Sequence, residues 1–316
     1  MEYLYLKNSN IKVSRLCMGG CQLGGYGWGI VSDKDLERAV GTALDQGINF
    51  FDTADTYGLG KSERILGKAL KENRNQVVIG TKFGVRIKEG KTFYDNSPDW
   101  IKSALEASLK RLNTDYIDLY QIHYRDKKTD LDLVVDTLED LKAKGYIRYY
   151  GLSNINQKDI TEISKFPSKF VSFQNEYSLA CRSNEKDIIQ LAEELKLTPI
   201  TWGSLGQGIL SGKYSPKTSF GEDDRRHRDA YMNFHGEKLR KNLEIVEVMK
   251  DIAREINQQL PAIAIRFILD NLKDSVVIAG VKDEKQLLVN IHSMDFKLDK
   301  VQLQALLHIS DSGEAV

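Results

Sequence analysis

The chain has 316 residues, 41% of them apolar and 28% charged, which suits one α/β barrel or two average domains. Its 45 basic and 45 acidic side chains balance, so neither nucleic acid nor an anionic membrane surface is an expected partner. No apolar run approaches about 18 residues, the N-terminus shows no signal-peptide pattern, and Cys17, Cys21 and Cys181 match no zinc spacing, so a protein of the reduced cytoplasm fits.

Residues 2–16 alternate around Asn8-Ser9-Asn10 and read as a hairpin. Leu16–Gly20 is a short apolar run, followed by a helix over Asp33–Gln46 that Ser32 can cap and Gly47 ends. Asn49–Ala54 is a strand and Lys61–Lys71 a helix by its apolar spacing; Gln76–Phe83 is a strand. Ser97-Pro98-Asp99 opens a helix to Leu112, with proline in the first turn. The pattern then repeats: strands at Tyr116–His123, Ile147–Asn154, Phe170–Ser178 and Thr198–Ser204, with helices at Leu131–Lys144, Gln157–Lys165 and Asn184–Leu195. A long polar stretch, 213–236, reads as a lid or a disordered loop. Helical patterns at 237–256 and 261–271, a strand at Ser275–Val281, and helices over Asp283–Ser293 and from Asp299 complete the chain.

Eight strands interleaved with helices imply parallel pairing, because each crossover needs a helix. The expectation is one (β/α)8 TIM barrel domain over residues 1–316, with an N-terminal β-hairpin and extra C-terminal helices. A doubly wound sheet would need a glycine-rich turn opening directly into a helix. Here Met18–Gly25 leads into Tyr26-Gly27-Trp28-Gly29 instead.

In such a barrel the site lies at the C-terminal strand ends. Those ends deliver Gly20 and Cys21, Asp52 with Tyr57 behind it, Lys82, His123, Ser153 and Asn154, Gln174, Trp202, and Gly280 with Lys282. Taken singly, Asp52 reads as a loop acid, Lys82 as a solvated charge, His123 as a core histidine and Tyr57 as packing. Together they form a group that is costly to bury without a purpose. A phenol is a poor acid at neutral pH, and a nearby ammonium lowers its pKa. The expectation is that Lys82 does this for Tyr57, that Asp52 aims Lys82, and that neutral His123 orients a substrate oxygen.

Phe51-Asp52-Thr53-Ala54 with Tyr57-Gly58, Thr81-Lys82-Phe83-Gly84, and Leu119-Tyr120-Gln121-Ile122-His123 resemble the aldo-keto reductase family. The resemblance continues through Gly151–Asn154, Phe173–Ser178, Gly208–Tyr214 and Ile278–Lys282, and covers about residues 4–293. It implies NADP(H)-dependent interconversion of a small carbonyl compound and its alcohol, with Asp52, Tyr57, Lys82 and His123 as the catalytic four. It also implies that Ser153, Asn154 and Gln174 bind the nicotinamide amide and that Trp202 stacks on that ring. Leu205, Gln207, Gly208, Leu210, Ser211 and Lys213 would face the pyrophosphate, with Gly20, Cys21, Gly203, Ser204 and Gly280 joining the cofactor set. Lys282 would meet the 2′-phosphate, and Gln286 and Asn290, one helical turn apart, the adenine side. Relatives more often have Tyr-Ser-Pro-Leu where this chain has Trp202–Leu205, and often arginine in place of Lys282, which leaves room for NAD.

Trp28, Phe83, the loop Val85–Asn96 with Phe93 and Tyr94, Tyr124 and residues 213–236 are the expected substrate walls. They suit either a small aromatic aldehyde or a sugar. Two competing readings are a Lys82 Schiff-base aldolase, which the Asp52 carboxylate disfavours, and a cofactor-binding partner subunit of a membrane channel. No extra amphipathic helix marks an interface, so a monomer is the default expectation.

Overall fold

A computed structural model of the chain describes residues 1–25, 27–29 and 31–311. Strands β1 (Tyr3–Tyr5) and β2 (Lys12–Ser14) form the antiparallel hairpin. Eight further strands close a parallel barrel: β3 (Leu16–Gly19), β4 (Phe50–Asp52), β5 (Val78–Phe83), then β8 (Ile117–Ile122), β9 (Ile147–Ser153), β10 (Phe170–Glu176), β11 (Thr198–Trp202) and β12 (Val276–Gly280). Strands β6 (Val85–Lys88) and β7 (Lys91–Tyr94) are a separate antiparallel pair between β5 and β8.

The helices are α1 (Asp33–Asp45), α2 (Lys61–Ala69), α3 (Pro98–Leu112), α4 (Leu131–Ala143), α5 (Ile160–Ile163), α6 (Glu185–Leu195), α7 (Gly236–Ile256), α8 (Leu260–Asn271), α9 (Glu284–Ile291) and α10 (Lys300–Ile309). Ser32 caps α1 by accepting from the Asp35 amide, a contact worth about 1 kcal/mol. Ser97 caps α3 in the same way, with Pro98 in the first turn. Helix α8 is apolar on nearly every side and buried from Ala262 to Leu269, clamped between its neighbours rather than laid on the surface.

Two layers of core follow from the period-2 alternation of the strands. Inward-facing Cys17, Phe50, Val78, Leu119, Val171, Ile200 and Val276 fill the lower barrel, and Leu6, Ile11 and Val13 of the hairpin plug it from below. Outward-facing residues such as Phe51, Ile79, Phe83, Tyr120 and Ile122 pack under the helices. The same alternation turns Asp52, Lys82, Gln121 and His123 inward at the top, one storey above the apolar plug.

Two stretches differ from the sequence reading. Val85–Asn96, expected as a loop, contains the β6–β7 hairpin, turning at Glu89 and Gly90, both of which have positive φ. Residues 213–236 follow a defined path with 3₁₀ turns at Arg225–His227 and Met232–Phe234. The path is held by side chains: Tyr214, Phe220 and Phe234 cluster with ring centroids 4.9–5.8 Å apart, and Arg226 lies over Phe220 at 4.4 Å.

Candidate active site

Backbone hydrogen bonds carry the barrel ladder past the strand ends. The amides of Gly20, Thr53 and His123 donate to Asp52 O (2.7 Å), Gly80 O (2.8 Å) and Phe83 O (2.8 Å). Asp52 is 2% exposed and accepts three hydrogen bonds: from Lys82 Nζ at 2.5 Å, Gln174 Nε2 at 2.5 Å and Gln121 Nε2 at 3.4 Å. Lys82, 1% exposed, also donates to Thr53 O at 2.8 Å. A buried ion pair of this kind holds only because its remaining donors and acceptors are matched.

Tyr57 lies five residues beyond Asp52, on the loop into α2. That loop is pressed against the loop after β3. A Cβ on Gly58 would lie 2.2 Å from Gly24 O, and one on Gly24 would lie 2.7 Å from Gly58 N. The backbones touch only because neither residue has a side chain, and this contact fixes Tyr57 beside Cys21. Lys82 Nζ sits 5.2 Å from the Tyr57 ring centroid, and the His123 ring meets Tyr57 edge-on at 6.1 Å.

The sequence reading had Lys82 lowering the pKa of Tyr57. In the structure burial pushes the phenol well above its ordinary pKa, and the nearby Cys21, Asp52 and Tyr124 push it the same way; Arg225 opposes them. The phenol is therefore protonated at neutral pH. His123 is pushed down to about 3, by burial first and the Lys82 ammonium second, so its imidazole is neutral. Its Nδ1 is buried and has no hydrogen-bond partner among the described residues.

These groups open into one cavity of about 630 Å³. Asp52, Tyr57, Lys82 and His123 line it, as do Gly20, Cys21, Ser153, Asn154, Gln174, Trp202, Gly203, Ser204, Leu205, Gln207, Gly208, Ser211, Lys213, Gly280, Lys282, Gln286 and Asn290; Trp28 and Tyr124 form part of its wall. Four expected residues do not line it, among them Phe93, which is exposed on the β6–β7 hairpin. Phe83 is fully buried against Tyr120, with centroids 4.6 Å apart, because the alternation that turns Lys82 inward turns Phe83 outward. Tyr94 is 44% exposed and stacks on Tyr124 at 4.9 Å, behind the wall. The Leu210 side chain is buried in the core.

Several polar groups expected to meet a nicotinamide are joined to one another. Ser153 Oγ donates to Gln174 O at 3.2 Å, and Asn154 Nδ2 donates to His123 O at 3.0 Å. The hydroxyl of Ser204 is committed to Ile278 O at 2.7 Å. The segment from Leu205 to Gly212 turns sharply, with positive φ at both Gln207 (56°) and Gly208 (104°). Gln207 is held from both sides, donating to Glu176 Oε1 at 3.0 Å and accepting from Asn233.

The far end of the cavity is cationic. Lys213, Arg226, Lys282 and Lys285 line it, and Lys282 is held below its usual pKa by burial, then by Arg226, with Lys213 adding to the effect. Arg226 is tied to Asp224 at 2.5 Å and to the Tyr214 hydroxyl at 2.6 Å. Asn290 is buried, and its Nδ2 has no partner among the described residues.

The sequence reading missed Gln121, Lys285, Arg226 as an individual residue, and Tyr231. Gln121 was accessible in principle, since it alternates with Leu119 and His123 on the inward face. Lys285, in the first turn of α9, follows closely on Lys282, which precedes the helix cap Asp283. The others sit on 213–236, where no periodicity says which way a side chain points.

Comparison with known proteins follows the same lines. The family model for the aldo/keto reductase family matches residues 15–311. The chain is 33% identical to aldo-keto reductase YhdN of Bacillus subtilis, over 91% of this chain and 87% of that protein. It is 30% identical to aldo-keto reductase yakc [NADP(+)] of Schizosaccharomyces pombe, over 90% and 85%. The solved structure of the glycerol dehydrogenase AKR11B4 from Gluconobacter oxydans superposes with a TM-score of 0.87 at 31% identity, covering 97% of this chain and 94% of that one. The holo form of aldo-keto reductase AKR11C1 from Bacillus halodurans gives 0.78 at 27% identity, covering 99% and 97%. With its closed parallel barrel and its inward-facing Asp52, Lys82 and His123 at three neighbouring strand ends, the chain belongs to the aldo/keto reductase family of nicotinamide-dependent oxidoreductases.

Proposed function

We propose that the protein is an NADPH-dependent carbonyl reductase in which Tyr57 is the proton donor. The observation that carries this reading is the meeting of Tyr57, Lys82–Asp52 and His123 at one end of a cavity whose other end is cationic. The residues fit the cofactor on two counts. The cations around Lys282 repel one another and would be relieved by a phosphate, and the orphaned, buried Asn290 amide lacks an acceptor. Lys213, Arg226, Lys282 and Lys285 would hold the phosphates; Trp202 would lie against the nicotinamide, with Ser153, Asn154 and Gln174 at its amide. When bound, NADPH supplies hydride to the carbonyl carbon.

The protein's own part is proton and charge handling. A carbonyl oxygen that gains negative charge takes the Tyr57 proton and becomes the alcohol. The phenol is protonated beforehand because burial keeps it so. The phenolate left behind faces the Lys82 ammonium, which Asp52 and Thr53 O hold in place. Lys82 thus acts on the product of proton transfer rather than by pre-ionising the phenol. Neutral His123, with Nδ1 enclosed, has Nε2 left to hydrogen-bond the same oxygen. One relative carries NADP(+) in its name, which agrees with the cofactor choice.

The test is Tyr57→Phe. Turnover of a simple aromatic aldehyde should fall by about 10³-fold, while NADPH binding, followed by fluorescence quenching, stays within about two-fold. Unchanged turnover would remove Tyr57 as the acid.

A further inference from the structure

Among the described residues, six basic side chains and one carboxylate line the cavity of a chain whose formal net charge is zero. The carboxylate, Asp52, is matched by Lys82. Four of the other five cations sit at the phosphate end described above. The fifth, Arg225, does not.

Arg225 and Arg226 are neighbours in sequence but serve opposite ends. Arg226 turns to Asp224 and Tyr214 and is felt by Lys282. Arg225 turns to the catalytic end. Its guanidinium lies 5.9 Å from the Trp28 ring centroid, and its charge is felt by both Cys21 and Tyr57. It is locked there from the other side of the cavity. Its amide donates to Gly27 O at 3.1 Å, and a Cβ on Gly27 would lie 2.3 Å from Arg225 Cγ. Gly27 has a φ of +72°, so only glycine fits that crossing without strain.

A guanidinium whose charge reaches the proton donor, in a wall that among the described residues includes Trp28, Tyr124 and Tyr231, is a planar fork suited to a carboxylate. We propose that Arg225 binds a carboxylate on the substrate, so that the preferred substrate class is an aldehyde or ketone bearing a carboxylate near the reacting carbonyl. The proposal rests on the reductase reading and narrows it. Arg225 reaches the site from one loop and is seated by another, so substrate selection depends on residues 213–236 being docked there.

The experiment measures NADPH-linked reduction of 4-carboxybenzaldehyde, its methyl ester, succinic semialdehyde, butanal and glyceraldehyde. The intact protein should favour each carboxylate over its neutral counterpart by about 10-fold or more in kcat/KM, mainly through KM. Arg225→Gln should abolish that preference and leave NADPH affinity within about two-fold, and Arg225→Lys should restore part of it. Absence of the preference in the unaltered protein overturns the proposal without recourse to any variant. So does an equal loss on acid and ester in Arg225→Gln, or a preference for glyceraldehyde over succinic semialdehyde. Failure to consume NADPH with every one of these carbonyls would overturn the reductase reading as well; reduction without the preference overturns the carboxylate assignment alone.

Discussion

The two ends of the cavity are electrostatically unlike. At the Tyr57 end, the Asp52–Lys82 pair is balanced within the protein and, with His123, sits on three strand ends that the barrel ladder holds rigid. At the Lys282 end, cations crowd one another and come from loops and the first turn of α9. The difference matches two kinds of negative charge. A developing oxyanion exists only in passing, so its partners must be neutral or paired at rest and already oriented. A phosphate is charged throughout, so standing positive charge is affordable there, at the expense of a lowered Lys282 pKa until an anion arrives.

The largest effect should come from unbalancing the paired end. Lys82→Met leaves Asp52 buried without its cation, which should cost about 3–5 kcal/mol in urea denaturation, and turnover should fall by about 10²–10⁴-fold. Since a poorly folded variant would lose activity for trivial reasons, the double variant Asp52→Asn/Lys82→Met is the sharper measurement. It should regain much of the stability and none of the turnover. Recovery of both would mean that the pair is scaffolding and that Tyr57 works without it.

The unbalanced end should respond differently. Lys282→Met should weaken NADPH binding by about 10- to 100-fold, the loss of one charged hydrogen bond, and leave NADH binding nearly unchanged. Fluorescence titration of both cofactors checks this. Equal weakening would take the 2′-phosphate away from Lys282, and the contrast between the ends would lose its meaning.

What could be read in the sequence divides along the same line. The barrel, the hairpin and the residues at strand ends were legible because strand alternation and helix capping are local and periodic. Asp52, Lys82 and His123 point inward for the same reason that Phe50, Val78 and Leu119 do. Phe83 was misplaced when that rule was not carried one residue further. The path of residues 213–236 was not legible. It is set by Arg226 on three aromatic rings and by Asn233 on Gln207, contacts between residues far apart in a stretch without periodicity. The protonation state of Tyr57 was likewise out of reach, because burial, the leading cause, depends on everything packed around the loop.

The smallest effect tests how closed the catalytic end is. Asp55, two residues before Tyr57, has a buried Oδ1 with no partner among the described residues, while neighbouring Glu63 is bonded to Thr81 and Arg111. Burial, then the Glu63 charge, pushes the Asp55 carboxyl up to about 7. An unfolded aspartate titrates near ~3.9. Between these values the native state binds more protons than the unfolded state, so Asp55 lowers stability as pH rises through the window, and its full penalty stands above about 7. Asp55→Asn keeps the shape and removes the charge. It should therefore gain about 1–2 kcal/mol at pH 8, less at pH 5 and nothing near pH 4, by urea denaturation at each pH. A gain that does not vary with pH would mean that Asp55 ionises as it does in water. Solvent would then reach the loop that carries Tyr57, and the enclosure that keeps the phenol protonated would be weaker than its packing implies.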